Sequence, residues 1–311
     1  MSAPPIFTRS VRASVAGLGE QALIRRIRRW LGSASPKTPA GIGDDCALLR
    51  PVRGRGLITV DPVVHGVHFD GRVPARSVGA KLFKRNLSDI AAMGGSPRAA
   101  VVALALDPSV SIAWLGDFFR GLAAESCRHK VPVVGGDVAR LKGGFVATLA
   151  LTGEAGARVL TRKGSRVGDW IYVTGRLGRS LQSGRHHSFQ PRLAEGQWLA
   201  RRREVRSMMD VSDGLAKDLP ALTPAGATAA LYAGMLPLNP GAGIREALGD
   251  GEDYELVIGV ASGTRREKLE QVWRKAFPRT RLTCIGRFVR RGARPPGAIH
   301  LEDHRGYEHL R

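Results

Sequence analysis

Apolar positions along the chain follow two spacings, and the switches between them mark the elements. In Glu20–Leu31, "EQALIRRIRRWL", Leu23, Ile27, Trp30 and Leu31 recur at helical spacing while arginines fill the other face, which predicts an amphipathic helix. "GLITVDPVVHGVHF" carries the β-like run Leu57, Ile58, Val60 and predicts a strand that turns at Asp61-Pro62. "SVGAKLFKRNLSDIAAMGG" predicts a helix closed by Gly94-Gly95. A buried strand, "RAAVVALALDP", and a second amphipathic helix, "SIAWLGDFFRGLAAESCRHK", follow. "VPVVGGDVAR" reads as a strand that stops at its two glycines and Asp137, and "GGFVATLALTGEA" as another. The expected order to this point is α, β, β, α, β, α, β, β.

A new pattern starts near Gly153. "DWIYVTG" predicts a strand, Trp198–Met208 a helix, and "MMDVSDGLAKDLPAL" a strand running into a helix capped by Ser212 or Asp213. "TAALYAGMLPL" and "YELVIGV" predict strands. "GTRREKLEQVWRKAF" predicts a helix with Leu269, Val272, Trp273 and Phe277 on one face, and "RLTCIGRFV" a final strand. The mixture excludes all-α and all-β folds and points to an α/β (α+β) protein. The shift in pattern places a boundary near residues 152–157. The expected organisation is a flexible extension over 1–17, an N-terminal domain over 18–152 and a C-terminal domain over 153–311.

Composition narrows the class. With 43% hydrophobic and 24% charged residues, the chain has the makeup of a soluble globular protein. The longest apolar run, Ala99–Leu106, is far short of the roughly 20 residues a membrane span needs. The first residues hold no continuous apolar core of a secretory signal. Cys46, Cys127 and Cys284 form no CxxC pair, which argues against a disulfide framework and for a reducing cytoplasm. A formal net charge of +21 makes nucleic-acid binding a legitimate hypothesis. The arginines are scattered, however, aromatics make up 6%, and no recognition motif accompanies them, so neither nucleic acid nor membrane is the expected partner.

Against that basic background the carboxylates share a setting: a small residue, then an acid, then an apolar run. Asp44 and Asp45 stand in "GIGDDCA", Asp61 at the end of "ITVD", Asp89 in "NLSDIAAMGG" and Asp137 in "GGD". Asp210 and Asp213 flank Ser212 in "MDVSDG", and Glu252 and Asp253 follow Gly251. Each alone reads as well as a turn residue or helix cap. Together they suit hard cations: Mg²⁺ is held by one or two carboxylates plus substrate phosphates, so several such residues imply several ions around a polyphosphate. Without cations, neighbouring carboxylates raise each other's pKa. No P-loop, protein-kinase motif set, G-x-S-x-G elbow or H-E-x-x-H occurs, and no nucleophilic triad can be assembled.

The motifs "GIGDDCALL", "TVDPVVHGVHF", "NLSDIAAMGGSPRAAVVALALDP", "VVGGDVAR", "LTRKGSRVGDWIYVTGRLG", "MDVSDGL" and "GDGEDYEL" resemble the thiamine-monophosphate kinase family. They stand in its order and at similar spacing, from about Gly19 to Tyr307. The wider superfamily resembles aminoimidazole ribonucleotide synthetase. The resemblance implies a two-domain fold whose N-terminal sheet forms a homodimer. It implies transfer of the ATP γ-phosphoryl onto thiamine monophosphate, giving thiamine diphosphate, with several Mg²⁺ ions as the last step of that synthesis.

Carried over by position, it implies Mg²⁺ ligands at Asp45, Thr59, Asp61, Asp89, Asp137, Asp210 and Asp213. Val60, where the family often has Thr, is left to contribute its backbone carbonyl. Asp44 becomes a neighbour in contact with metal-bound water. Gly136, Asp137, Arg162 and Ser212 would contact ATP, and His68, Glu252 and Tyr307 the thiamine substrate. Val138 stands where the family often has Thr, and the 179–207 segment is short and basic, with "FQPRL" in place of a longer proline-arginine run. The acceptor is a phosphate oxygen that is already anionic, so no general base is needed. Catalysis then reduces to positioning and charge neutralisation by Mg²⁺ and Arg162. The alternatives are another ATP-dependent enzyme of the superfamily with a different small phosphorylated substrate, and a basic nucleic-acid binder with a degenerate site.

Overall fold

The computed structural model describes residues 3–43, 46–52, 54–293, 295–299 and 301–308. The chain forms two compact units, Met1–Leu87 with Pro97–Glu154, and Ser88–Ser96 with Ala155–Arg311.

The first unit contains α1 (Glu20–Leu31), β1 (Gly56–Val64), most of α2 (Ala75–Ala92), β2 (Ser96–Leu106), α3 (Ile112–His129), β3 (Val133–Arg140) and β4 (Phe145–Glu154). Among the described residues, the order ahead of α2 is one strand shorter than expected. The sheet runs β1-β4-β2-β3, with β1 antiparallel to β4 and β2 parallel to β3. A parallel pair needs a long crossover, which α3 supplies. Strict alternation along β4 buries Phe145, Ala147, Leu149 and Leu151 on one face. Phe145 meets Trp114 of α3 edge to face at 4.9 Å.

Two strands run further than their turn signals suggest. β1 continues through Asp61-Pro62 because it is an edge strand, where a residue without an N–H is tolerated. β3 continues through Gly135 and Gly136 to Arg140, held by its parallel register with β2, so Asp137 lies within a strand rather than at its end. In the 1–17 stretch, Ile6 and Val15 are buried, Thr8 N–H donates to Ser109 O (2.9 Å), and Ser111 N–H donates to Ile6 O (2.8 Å).

The second unit contains β5 (Trp170–Thr174), α4 (Arg185–Ser188), α5 (Leu193–Ala200), β6 (Val205–Asp210), α6 (Leu215–Asp218), β7 (Ala227–Tyr232), α7 (Ile244–Gly249), β8 (Leu256–Val260), α8 (Arg266–Ala276), β9 (Leu282–Arg290) and β10 (Ala298–Ile299). Its six-stranded sheet runs β10-β7-β9-β5-β8-β6. Both faces are covered: Ile171 and Val173 of β5 point into one core with Val257 and Phe288, and Tyr172 between them into another with Trp273. The helix expected over Trp198–Met208 is split. α5 ends at Ala200, and Val205 begins a strand because it pairs with Val260 of β8. Among the described residues no helix is long and apolar enough to cross a membrane.

Candidate active site

In the first unit, Thr59 and Asp61 stand opposite Leu151 and Leu149 in the β1–β4 register, and so share one face of the sheet. Val60 points the other way with Ile58, the two being 60% and 77% exposed. Asp61 is met by Arg85, a buried cation that the sequence reading passed over. The Arg85 guanidinium donates to Pro62 O (2.6 Å) and, through Nη2, to Asp61 Oδ1 (3.4 Å). Its place four residues before Asp89 on a helix gave no signal that it turns toward β1.

His68 is buried in the turn after β1, where Val64 N–H donates to its Nδ1 (3.1 Å). A backbone N–H can only donate, so Nδ1 is the bare nitrogen and Nε2 carries the proton. Lys81 Nζ donates to the His68 carbonyl (2.8 Å) and anchors the turn. Behind it, Phe69 packs on Trp114 at 5.9 Å.

Gly136 and Asp137 line a cavity of about 520 Å³ with an apolar wall from Ile24, Ile27 and Leu31 of α1. Gly136 admits no side chain, because a Cβ there would lie 2.0 Å from Val102 O. Asp137 is exposed on β3 opposite Ala103. Ile42 and Gly43 line the same cavity. Asp44 and Asp45, which follow them, lie outside the described residues.

In the second unit β6 ends on Asp210, buried, with Ser88 Oγ donating to its Oδ2 at 2.6 Å. Burial and the nearby charge of Asp89 push its pKa up to about 6, against the lowering effect of Ser88 and Arg162. Arg162 itself is exposed. Neither Ser212 nor Asp213 caps α6. The N-cap is Gly214, and the Asp218 carboxylate instead accepts the N–H groups of Ser212 and Asp213, both at 2.9 Å. Burial, then Asp210, push the Asp218 pKa up to about 7. Asp218 was missed from sequence, although an acid four residues after "SDG" could have suggested a carboxylate returning to that turn.

Asp213 Oδ2 pairs with Lys217 Nζ at 2.9 Å, and Lys217 also donates to Tyr307 O (2.6 Å). Tyr307 N–H donates to Asp213 O (2.8 Å), so the chain's last described turn is tied to the "SDG" loop. Glu252 is joined to the same loop, its N–H donating to Ser212 O at 2.7 Å. Its carboxylate lies 3.4 Å from His186 Nδ1, a histidine that read as part of a polar loop. Asp253 is buried, accepting from Gly178 N–H and Ser180 Oγ, and burial pushes its pKa up to about 7.

The first unit holds Thr59, Asp61 and His68 on or just after β1, at one edge of its sheet, and Gly136 and Asp137 on β3, at the other edge, while the second links Asp89, Arg162, Asp210, Ser212, Asp213, Glu252 and Tyr307 around the end of β6. Among the described residues no three Asp, Glu, His or Cys side chains close on one point in the manner of a metal cage. The carboxylates of this set offer only oxygen donors, the kind that Mg²⁺ takes.

Two α/β units carry these carboxylates, and the sequence holds no P-loop. Residues 43–155 match the family described as AIR synthase related protein, N-terminal domain. Thiamine-monophosphate kinase of Escherichia coli (strain K12) is 34% identical, over 94% of this chain and 98% of its own length. The crystal structure of thiamine-monophosphate kinase from Stenotrophomonas maltophilia K279a is 31% identical with a TM-score of 0.71, covering 88% of this chain and 95% of that one. That of AaThiL complexed with AMPPCP and TMP is 26% identical with a TM-score of 0.69, covering 95% and 98%. The chain belongs to the thiamine-monophosphate kinase family.

Proposed function

We infer that this chain phosphorylates thiamine monophosphate to thiamine diphosphate at the expense of ATP. The observation that carries this is the likeness, over 95% of the chain, to a structure complexed with AMPPCP and TMP, AMPPCP being an ATP analogue whose β–γ bridge is carbon. An oxygen of the substrate phosphate attacks the γ-phosphorus, the bond to the β–γ bridging oxygen breaks, and ADP leaves with that oxygen. The acceptor oxygen is anionic near neutral pH, so no side chain has to remove a proton.

The residues that would hold Mg²⁺ ions are Asp45, Thr59, Asp61, Asp89, Asp137, Asp210 and Asp213. The ions would neutralise phosphate charge and orient the reacting groups. Val60 can offer only its carbonyl, and Asp44 a contact to metal-bound water. Gly136 and Asp137 would contact ATP, and Arg162 its phosphates. Because Asp218 occupies the Ser212 N–H, the contact from Ser212 falls to its hydroxyl. His68 serves as a neutral Nε2–H donor to the substrate. Glu252, an anion, suits the cationic or amino-bearing part of thiamine rather than its phosphate, with Tyr307 beside the same loop.

Pairing of two copies through the first unit's sheet would cover Ile58 and Val60 on β1 and Val101 on β2, apolar residues that otherwise face water. Such a dimer working in the cytoplasm fits the chain's features. Purified protein with ATP, Mg²⁺ and thiamine monophosphate should yield thiamine diphosphate and ADP in equal amounts. A folded protein that yields neither at saturating substrate overturns the reading.

A further inference from the structure

The stretch Gly251–Glu255 is answered residue by residue from the segment 178–192. Asp253 accepts from Gly178 N–H and from Ser180 Oγ (2.5 Å). Tyr254 stacks on Phe189 with ring centroids 4.0 Å apart and planes 20° from parallel. Glu252 Oε2 lies 3.4 Å from His186 Nδ1. Glu255, 1% exposed, receives both arms of Arg192, Nε to Oε2 at 2.7 Å and Nη2 to Oε1 at 2.6 Å. Thr174 Oγ1 (2.8 Å) and Arg185 Nη2 (3.3 Å) complete its shell.

The backbone being held is a costly one. Gly251, Glu252 and Tyr254 have φ of 71°, 55° and 51°, and the latter two carry side chains in the left-handed region. That conformation aims the N–H groups of Glu252 and Tyr254 at Ser212 O (2.7 Å) and Val211 O (2.8 Å), which joins the stretch to the "VSDG" turn. Such backbone persists only where its surroundings over-determine it. A buried ion pair is weak evidence of stabilisation, because an apolar replacement often does as well. What a forked guanidinium–carboxylate pair adds is geometric definition, which a lysine's point charge lacks.

We propose that Arg192 is a positioning residue: its forked pair with buried Glu255 holds Gly251–Glu255, left-handed at Gly251, Glu252 and Tyr254, in the conformation that presents Glu252 to the substrate. The shortened basic segment 179–192 is then the clamp that sets affinity for thiamine monophosphate. The functional half of this rests on the reading of Glu252 as a substrate contact, and the conformational half does not.

The test compares full-length wild type with Arg192→Gln, Arg192→Lys and Glu255→Gln. Amide hydrogen exchange is followed at Glu252, Tyr254 and Ile258, the last inside β8. Arg192→Gln should speed exchange at Glu252 and Tyr254 roughly tenfold or more and leave Ile258 unchanged. It should raise KM for thiamine monophosphate about tenfold, with kcat and KM for ATP within about threefold, a split that separates substrate positioning from general loss of activity. Arg192→Lys should fall between. Unchanged exchange at Glu252 and Tyr254 overturns the proposal. So does faster exchange at all three amides with a parallel loss of kcat, which marks a purely structural pair. Should Arg192→Gln not fold, Glu255→Gln keeps volume and acceptor while weakening the same pair, and its exchange pattern decides. A wild type that does not phosphorylate thiamine monophosphate removes the functional reading, and the exchange data still decide the clamp.

Discussion

The two units handle their carboxylates in opposite ways. In the first, Asp137 is exposed on a strand beside a glycine, and Asp61 is partly exposed with an arginine reaching it from a helix. In the second, Asp210, Asp218, Asp253 and Glu255 are buried and wrapped in hydroxyl, N–H and guanidinium donors. Burial without full compensation raises the pKa of Asp210, Asp218 and Asp253, so charge in that unit is held under tension. A surface carboxylate can wait for a ligand at little cost to folding, whereas a buried one must be supported by its own protein. This is why the second unit needs the dense network around residues 210–218 and 250–255.

Replacing one acid from each unit should separate these modes most strongly. Asp137→Asn and Asp210→Asn should each lower kcat by about 100-fold or more, each removing a proposed Mg²⁺ ligand. Their stabilities should differ. Asp137→Asn should leave Tm unchanged, while Asp210→Asn, by removing a disfavoured buried charge, should keep or raise it. Calorimetry with steady-state kinetics checks both, and a fall in Tm for Asp137→Asn would mark that residue as structural.

Smaller effects should come from His68 in the first unit. Gln can place an N–H where Nε2 stands, and Asn can place an acceptor where Nδ1 stands. His68→Gln should keep KM for thiamine monophosphate within about threefold, and His68→Asn should raise it about tenfold with Tm retained, the range of one lost hydrogen bond. The opposite order would assign His68 to holding its turn rather than to the substrate.

The pH dependences of the two units should have opposite signs. The folded pKa of Asp253 is raised to about 7 from an ordinary 3.8, so its stabilising effect is complete below about 4 and is lost as pH rises through 7. The slope is at most about 1.4 kcal/mol per pH unit, and Asp253→Asn should flatten it in urea titrations between pH 5 and 7.5. Lys84 of the first unit is buried, and desolvation lowers its pKa from 10.5 to about 8. The folded state then binds fewer protons than the unfolded one, so stability rises with pH from about 8 to about 10.5. Lys84→Met should abolish this rise, the smallest of these effects, in the same titrations at alkaline pH.

Much of this was legible in the chain. The helices at Glu20–Leu31 and Arg266–Ala276 follow their apolar spacing, because an amphipathic helix on a surface is decided by local periodicity. In the second unit, β5, β8 and β9 also follow their β-branched runs. The segment 179–207 was legible least. Its short helices are too brief for periodicity to reveal, and Val205–Asp210 became a strand because β8 was there to pair with it. Of the proposed site, Asp137, Asp213 and Glu252 showed themselves by standing beside glycines. The partner residues Arg85, Asp218, His186 and Arg192 did not, because each arrives from another element or another turn.

Residue order alone set the class, the two-part pattern and the run of acidic motifs that mark the family, since these depend on composition and short-range spacing. Tertiary structure decided that Pro62 stays within an edge strand, that Val60 turns away from Thr59 and Asp61, and that His68 carries its proton on Nε2. It also decided that Glu252 and Tyr254 take left-handed backbone and that Glu255, next to them, receives a forked ion pair from Arg192. Register, burial and the choice of hydrogen-bond partner belong to pairs of residues far apart in sequence, and only folding brings those pairs together.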